Sequence, residues 1–212
     1  MLLDNALKRA LDVTLSSAAL AVLAVPMAAC AVAIKLDSPG PIFYRGDRVG
    51  KGGRAFKLVK FRSMVTKPGG ATSTSANDPR ITRVGHILRK YKLDEFPQFI
   101  NVLRGDMSLV GPRPEVQRFV DLYTPDEKVI LEVRPGITDW ASIRFHNEGE
   151  IIAASGIADA DEAYAKLIRP EKLRLQLKYV RERSIATDLR ILAETFATLT
   201  KTRVSGSMEQ VS

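Results

Sequence analysis

Two short segments hold residues able to do chemistry together. Leu93-Asp94-Glu95-Phe96-Pro97 sets two carboxylates side by side, and Gly111-Pro112-Arg113-Pro114 locks one arginine between prolines. An ionised aspartate held in line with phosphorus can attack it and form an acyl phosphate. An adjacent glutamate can share a hard cation such as Mg²⁺, and metal plus cationic side chains then carry the phosphate charge. Arg113 suits that task, because its proline neighbours hold the backbone extended and fix where the guanidinium fork points. A plainer reading stays open for each. Pro97 is tolerated in a first helical turn, so Asp94 and Glu95 also read as a helix cap followed by a first-turn acid. Arg113 also reads as a surface arginine in a rigid turn. Lys60 and Arg62, on a predicted strand, read by themselves as solvated charges, and Arg134-Pro135-Gly136 as a turn. His86 and His146 are too isolated for a zinc site.

These residues need a platform, and the sequence points to a membrane. The stretch from Val13 to Ile34 carries no charge. As a helix it would be about 33 Å long, enough to cross a hydrocarbon core of about 30 Å. Pro26 interrupts it and kinks a helix there. Lys8 and Arg9 precede it, and eight Lys and Arg against one acid, Asp47, follow between Pro41 and Lys67. The positive-inside rule puts both flanks on one side. The stretch therefore predicts a re-entrant hairpin of two half-helices broken at Pro26, with a kinked single span as the alternative. Met27-Ala28-Ala29-Cys30 faintly imitates a lipoprotein processing box, but the apolar run continues past the cysteine to Ile34. A buried core helix remains open too.

Of 212 residues, 26% are charged and 45% hydrophobic, enough for one proper core and at most one appendage. With 32 Lys and Arg against 24 Asp and Glu, the net charge of +8 suits nucleic acid, an anionic lipid surface or a phosphorylated substrate about equally. The single cysteine, Cys30, excludes a disulfide framework and a thiolate metal site, which points to a cytoplasmic working part.

Ser38-Pro39-Gly40-Pro41 stops the first helix. Ile42-Phe43-Tyr44 and Ala55 to Phe61 predict two short strands joined through Gly50-Lys51-Gly52-Gly53. Thr66 to Pro79 reads as a mobile loop. Helical patterns follow at Thr82 to Lys90, Glu95 to Leu103, Glu115 to Tyr123, Pro125 to Val133, Asp159 to about Arg183 and Asp188 to about Arg203. The fold class is α/β in the α+β sense, mostly helical with a short β-hairpin. Expected boundaries are a membrane hairpin over 1–36, a catalytic domain over 37–203 ending in amphipathic helices, and a disordered tail over 204–212.

The ordered series Lys8-Arg9-x-x-Asp12, Ser38-Pro39-Gly40-Pro41, Lys60-Phe61-Arg62-Ser63-Met64, Asp78-Pro79-Arg80-Ile81-Thr82-Arg83-Val84-Gly85, Leu93-Asp94-Glu95, Asn101 to Ser108, Leu109 to Pro114 and Val133 to Thr138 resembles the bacterial sugar transferases. These are monotopic polyprenyl-phosphate phosphoglycosyl transferases, and the likeness runs from about Lys8 to Arg203. It implies transfer of a phosphosugar from a nucleotide sugar, usually UDP-linked, to undecaprenyl phosphate, with release of UMP. It implies Mg²⁺ and a covalent phosphosugar-aspartate intermediate. By position Asp94 would be the nucleophile and Glu95 its metal partner, with Arg113 and Lys60 on phosphate groups, Arg62 grouped with them, and Asp188 a further acid near the site. It implies a helix re-entrant at Pro26, a place on the cytoplasmic face of a bacterial inner membrane, a minimal catalytic form, and no nucleic-acid partner, as monomer or homodimer.

The chain departs from the family in places. Asp139-Trp140-Ala141-Ser142 stands where Gly-Trp-Ala-Gln is common, which bears on the sugar chosen. Val25 precedes Pro26 where some members have Ser, and Gln176 stands where some are acidic. Leu189, Leu192, Phe196 and Leu199 form an apolar stripe that fits either domain packing or the membrane interface. The competing class is a membrane-tethered basic protein that binds lipid or RNA without catalysis; a two-metal transferase with no covalent step is a further alternative.

Overall fold

The computed structural model describes residues 2–65 and 73–208. Residues 66–72 of the expected loop and 209–212 of the expected tail lie outside them. The first element is a single helix, α1 (Leu2–Asp37), with Pro26 inside it. The two half-helices expected from the sequence are not separate elements. One face of α1 turns inward at Asp12, Ser16 and Ile34, while Val22, Val25 and Leu36 are 77%, 79% and 83% exposed on the other. By length and apolar content α1 is able to cross a membrane.

Strands β1 (Phe43–Val49) and β2 (Ala55–Phe61) pair antiparallel through the turn at 50–54, with Tyr44 opposite Lys60. This is the expected hairpin, with β1 longer than predicted. Helix α2 (Arg83–Lys90) starts where Thr82 accepts a hydrogen bond from the Gly85 amide, an N-cap. A short 3₁₀ turn over Leu93–Glu95 leads into α3 (Gln98–Arg104), which Gly105 ends at φ +87°.

A second sheet had no counterpart in the sequence reading. Strands β3 (Ser108–Val110) and β4 (Gly136–Thr138) pair in parallel, so Arg134-Pro135-Gly136, read as a turn, leads directly into a strand. The chain crossing there is tight: a Cβ on Gly136 would lie 2.1 Å from the Gly111 nitrogen. Only glycine fits.

The remaining elements are helical. They are α4 (Gln117–Val120), a 3₁₀ stretch at Glu127–Glu132, α5 (Trp140–Arg144), α6 (Glu148–Ala154), α7 (Ala160–Leu167), α8 (Arg169–Glu182) and α9 (Ile185–Met208). The single helix expected from Asp159 to Arg183 is two, divided at Ile168. Pro170 accounts for the division, because it removes an amide donor and is accommodated in the first turn of α8. Helix α9 runs on to Met208, past the Val204 where a tail was expected to begin. The main core gathers Leu58, Val102, Met107, Val110, Tyr179 and Ile191, so β2, α3, β3, α8 and α9 share one apolar centre. A smaller cluster of Ile34, Phe61 and Leu88 seats the end of α1 on β2 and α2.

Candidate active site

Lys92 adopts a left-handed backbone, φ +56°, the one positive φ at a described residue other than glycine. That reversal ends α2 and throws Leu93-Asp94-Glu95 into a tight turn. Asp94 does not cap α3. Pro97 occupies the N-cap position with no side-chain cap bond, so the capping reading of Asp94 fails. Asp94 is 6% exposed, and its carboxylate has no hydrogen-bond partner among the described residues.

Glu95 has several. Its Oε1 accepts from Lys60 Nζ at 2.9 Å, its Oε2 accepts from Arg113 Nη1 at 3.0 Å, and Arg113 Nη2 closes a second bond to Oε1. Arg113 Nη1 also donates to the Ile137 carbonyl at 3.1 Å. Glu95 thus binds two cations brought from β2 and from the Gly111–Glu115 strap. Among the described residues, nothing takes the Arg113 Nε hydrogen, one Nη2 hydrogen or two of the three Lys60 donors, which leaves them for a ligand. Asn101, fully buried on α3, fixes the registry. Its Oδ1 accepts from the Val59 amide at 2.9 Å, and its Nδ2 donates to the Lys57 carbonyl at 2.8 Å. The strand carrying Lys60 is thereby pinned to the helix that follows Glu95.

The two carboxylates are driven apart electrostatically. Burial raises the Asp94 carboxyl above the ordinary aspartate range, with Lys60 opposing. Burial would raise Glu95 too, but Arg113 and then Lys60 overcome it and hold that carboxyl well below its usual range. Burial lowers the Lys60 ammonium, against the pull of Glu95. One carboxylate is the fixed anion that organises the cations, and the other is basic and unengaged. Neighbouring acids with separated proton affinities mark distinct roles.

Among the described residues no group of three His, Cys, Asp or Glu side chains could hold a metal. Mg²⁺ rarely needs one, since it binds through one or two carboxylates and completes its shell with water and substrate phosphates. The unengaged Asp94 carboxylate fits that pattern. Glu95, with both oxygens held by cations, fits it only by releasing a donor.

Arg62 and Asp188, also expected at the site, are committed elsewhere. Arg62 is 4% exposed and donates to the Pro41 carbonyl at 2.6 Å, Ser38 Oγ at 2.6 Å and the Ser38 carbonyl at 2.9 Å. It closes the C-terminal end of α1, where a cation also suits the helix dipole. Asp188 accepts from Lys8 Nζ at 2.5 Å and from the Tyr179 hydroxyl at 2.8 Å. Lys8 Nζ donates also to the Val110 carbonyl at 3.0 Å, and the Tyr179 hydroxyl oxygen lies 3.1 Å from that same carbonyl, its one hydrogen directed to the nearer Asp188. Asp188 therefore ties α1, α8 and α9 to β3, one residue before the strap. Pro26 lies in the exposed middle of α1, away from these contacts.

Sequence reasoning missed several buried polar groups. Gln98, one turn beyond Glu95, is 1% exposed with both amide atoms unpartnered among the described residues. Asp139 Oδ2 and Gln176 Oε1 are likewise unpartnered. Asp139 Oδ1 caps α5 by accepting from the Ser142 amide at 2.6 Å, so the Asp139-Trp140-Ala141-Ser142 departure forms a helix cap. That cap was legible as Asp three residues ahead of Ser. Gln98 had no sequence signal, and Gln176 was marked only as standing where some family members are acidic.

Comparison with known proteins follows the same geography. Residues 3–202 match the sequence model of the bacterial sugar transferases. Over 198 residues the chain is 39% identical to an Aeromonas hydrophila protein named UDP-N-acetylgalactosamine-undecaprenyl-phosphate N-acetylgalactosaminephosphotransferase, covering 91% of this chain and 43% of that one. It is 38% identical over 200 residues to a Caulobacter vibrioides UDP-glucose:undecaprenyl-phosphate glucose-1-phosphate transferase, covering 92% and 70%. It is 39% identical over 203 residues to the exopolysaccharide production protein PSS of Rhizobium leguminosarum bv. phaseoli, covering 90% and 93%. The chain thus spans less than half of the Aeromonas relative and nearly all of the Rhizobium one. With matched residues running through Lys60, Asp94, Glu95 and Arg113, the chain belongs to the bacterial sugar transferase family.

Proposed function

We propose that this protein transfers a sugar 1-phosphate from a UDP-sugar to undecaprenyl phosphate, by way of a phosphosugar held covalently on Asp94. The observation that carries this reading is the unengaged, buried Asp94 carboxylate, acted on by the Lys60 charge and next in the chain to Glu95, which binds Lys60 and Arg113. Relatives named for this reaction with two different sugars support the substrate class.

In the first step an Asp94 oxygen attacks the phosphorus that bears the sugar. An acyl phosphate bond forms, the P–O–P bond breaks, and UMP leaves with the bonding pair. In the second step a phosphate oxygen of the lipid attacks the same phosphorus. The acyl phosphate breaks, the Asp94 carboxylate returns, and the lipid carries a diphosphate-linked sugar. Arg113 and Lys60 hold the phosphate oxygens with their remaining donors, which places charge where the transition state develops it. Asp94, and Glu95 on releasing a donor, would hold Mg²⁺, which would supply further neutralisation of phosphate charge. The raised proton affinity of Asp94 makes it the better nucleophile of the pair once ionised. The lipid- or RNA-binding alternative gives this arrangement no role.

The reading includes a monotopic placement on the cytoplasmic face of a bacterial membrane, with α1 entering and returning through one leaflet at Pro26. Its support is that one domain grips both ends of α1. Near the start, Arg9 donates to the Val102 and Leu103 carbonyls at 2.6 and 3.0 Å, and Asp12 accepts from the Leu109 amide at 3.0 Å. Near the end, Asp37 accepts from the Val84 amide at 3.1 Å. A helix crossing both leaflets would part those ends onto opposite faces.

The test is UMP release from a panel of UDP-sugars by protein in detergent with Mg²⁺ and undecaprenyl phosphate. Release from one or two donors, abolished in Asp94→Asn, is expected. No release with any donor from folded protein overturns the reading.

A further inference from the structure

A buried polar network that the proposed chemistry does not use lies directly behind Arg113. Glu115 accepts from Lys172 Nζ at 2.5 Å and from the Tyr164 hydroxyl, and Lys172 Nζ also donates to Tyr164 Oη at 2.8 Å. The Glu115 and Lys172 side chains are only 11% and 8% exposed. One turn along the same helix, Gln176, fully buried, donates its Nε2 to the Arg113 carbonyl at 3.2 Å.

The spacing is matched. Lys172 and Gln176 are an i, i+4 pair on α8, whose side chains sit about 5–6 Å apart on one face. Arg113 to Glu115 is two residues of extended chain, a span of about 7 Å. One face of α8 therefore grips the strap at two successive points. Pro114 lies between them, with its φ fixed and the residue before it restricted to extended conformations. Backbone slack between Glu115 and Arg113 is small, so a displacement of one is passed to the other. The other edge of the strap is held by β4, where Gly111 donates to the Thr138 carbonyl at 3.0 Å and Gly136 to the Pro112 carbonyl at 2.9 Å.

Stability alone gives this network little reason to exist. A buried ion pair is often replaced by apolar groups at no cost, because desolvation offsets the attraction. What it adds is a defined position two residues from the guanidinium that grips Glu95.

We propose that Lys172 and Gln176 are positioning residues, clamping the Gly111–Glu115 strap so that the Arg113 guanidinium holds its bearing for the phosphate. This deepens the transferase reading and rests on it. The test uses Glu115→Gln combined with Lys172→Met, which removes the charge pair without stranding a buried ion, and separately Gln176→Leu. Each is made alone and with Arg113→Ala, on the full chain in detergent.

With Arg113 present, UMP release should fall about 10- to 100-fold in either variant, the scale of a misplacement near 1 Å. With Arg113→Ala already made, the same changes should cost no more than about twofold, because their effect passes through Arg113. Losses that simply multiply in that background would overturn the proposal. Hydrogen exchange gives a second readout that does not need turnover. The Gly111 and Gly136 amides, bonded to the Thr138 and Pro112 carbonyls, and the Val49 amide, bonded to the Glu115 carbonyl, should exchange faster in both variants while those of α3 and β2 keep wild-type rates. If the charge-pair variant does not fold, Gln176→Leu decides by the same two criteria. Should wild-type protein release no UMP from any donor, the transferase reading falls by itself; strap exchange unchanged from wild type would then sink the clamp as well.

Discussion

Replacing Glu95 with glutamine removes the anion that two buried cations share. In the wild type Lys60 and Arg113 both bind its carboxylate; in Glu95→Gln they face each other across a neutral amide. Removing one partner of a buried pair costs about 3–5 kcal/mol, because the remaining charge is left uncompensated. The Lys60 and Arg113 side chains keep 21% and 26% of their exposure, so water reaches both and the lower end, about 3 kcal/mol, applies. For a chain of this size each kcal/mol moves the unfolding midpoint by roughly 2–4 °C. The variant should melt about 6–12 °C below wild type near neutral pH. The pH dependence has a definite sign. Arg113 and Lys60 depress the Glu95 carboxyl in the folded protein, so its contribution is fully present above the unfolded glutamate value of about 4.3 and is lost as pH falls through the lower folded value. The gap between the two proteins must narrow in acid. Thermal unfolding in detergent, followed by circular dichroism across that range, measures both. Equal midpoints near neutrality, or a gap that stays constant into acid, would refute the claim that Glu95 organises the cations.

Three further outcomes are expected. Gly136→Ala would drive a methyl group into the Gly111 backbone at 2.1 Å and should destabilise the protein by about 3 kcal/mol or more, at or beyond the upper end of ordinary overpacking; a wild-type midpoint would contradict the crossing. Val22→Asp with Val25→Asp puts two charges on the outward face of α1, each costing about 2.5–3.5 kcal/mol in hydrocarbon, and should move the protein from the membrane pellet to the supernatant on ultracentrifugation. UMP release should fall as pH drops through the raised Asp94 value, because the nucleophile must be ionised. The midpoint of that acid limb should lie above about 4, the ordinary aspartate value, and a midpoint below it would count against Asp94 as nucleophile.

The local parts of the site were readable because they are written in consecutive residues. The Asp94-Glu95 pair, the proline mount of Arg113 and the strand bearing Lys60 each announce themselves, and the structure brings Glu95, Arg113 and Lys60 together. Arg62, two residues beyond Lys60, was grouped with it because both stand in the Lys60-Phe61-Arg62-Ser63-Met64 motif. However, β2 ends at Phe61, and the chain turns Arg62 towards Ser38 and Pro41. Nothing local says that an arginine will close a helix more than twenty residues earlier. The β3–β4 pair was hidden for a related reason: three-residue strands show no usable alternation, and their partners are far apart in sequence. The α7–α8 division is marked by Pro170, which the reading of one helix from Asp159 to about Arg183 passed over. Lys172 looked like an ordinary helix position and Gln176 only like a departure without a role, because their meaning lies in the strap they face.

The most direct test of the account is to catch the phosphosugar on Asp94. Protein in detergent with Mg²⁺ and a UDP-sugar that supports UMP release, but without lipid acceptor, is quenched in acid, digested and examined by mass spectrometry. The account predicts one sugar-phosphate adduct on the peptide containing Asp94, discharged when undecaprenyl phosphate is added before the quench and absent in Asp94→Asn. UMP release that requires the lipid, with no adduct at any time, would contradict it and assign the transfer to a single direct displacement.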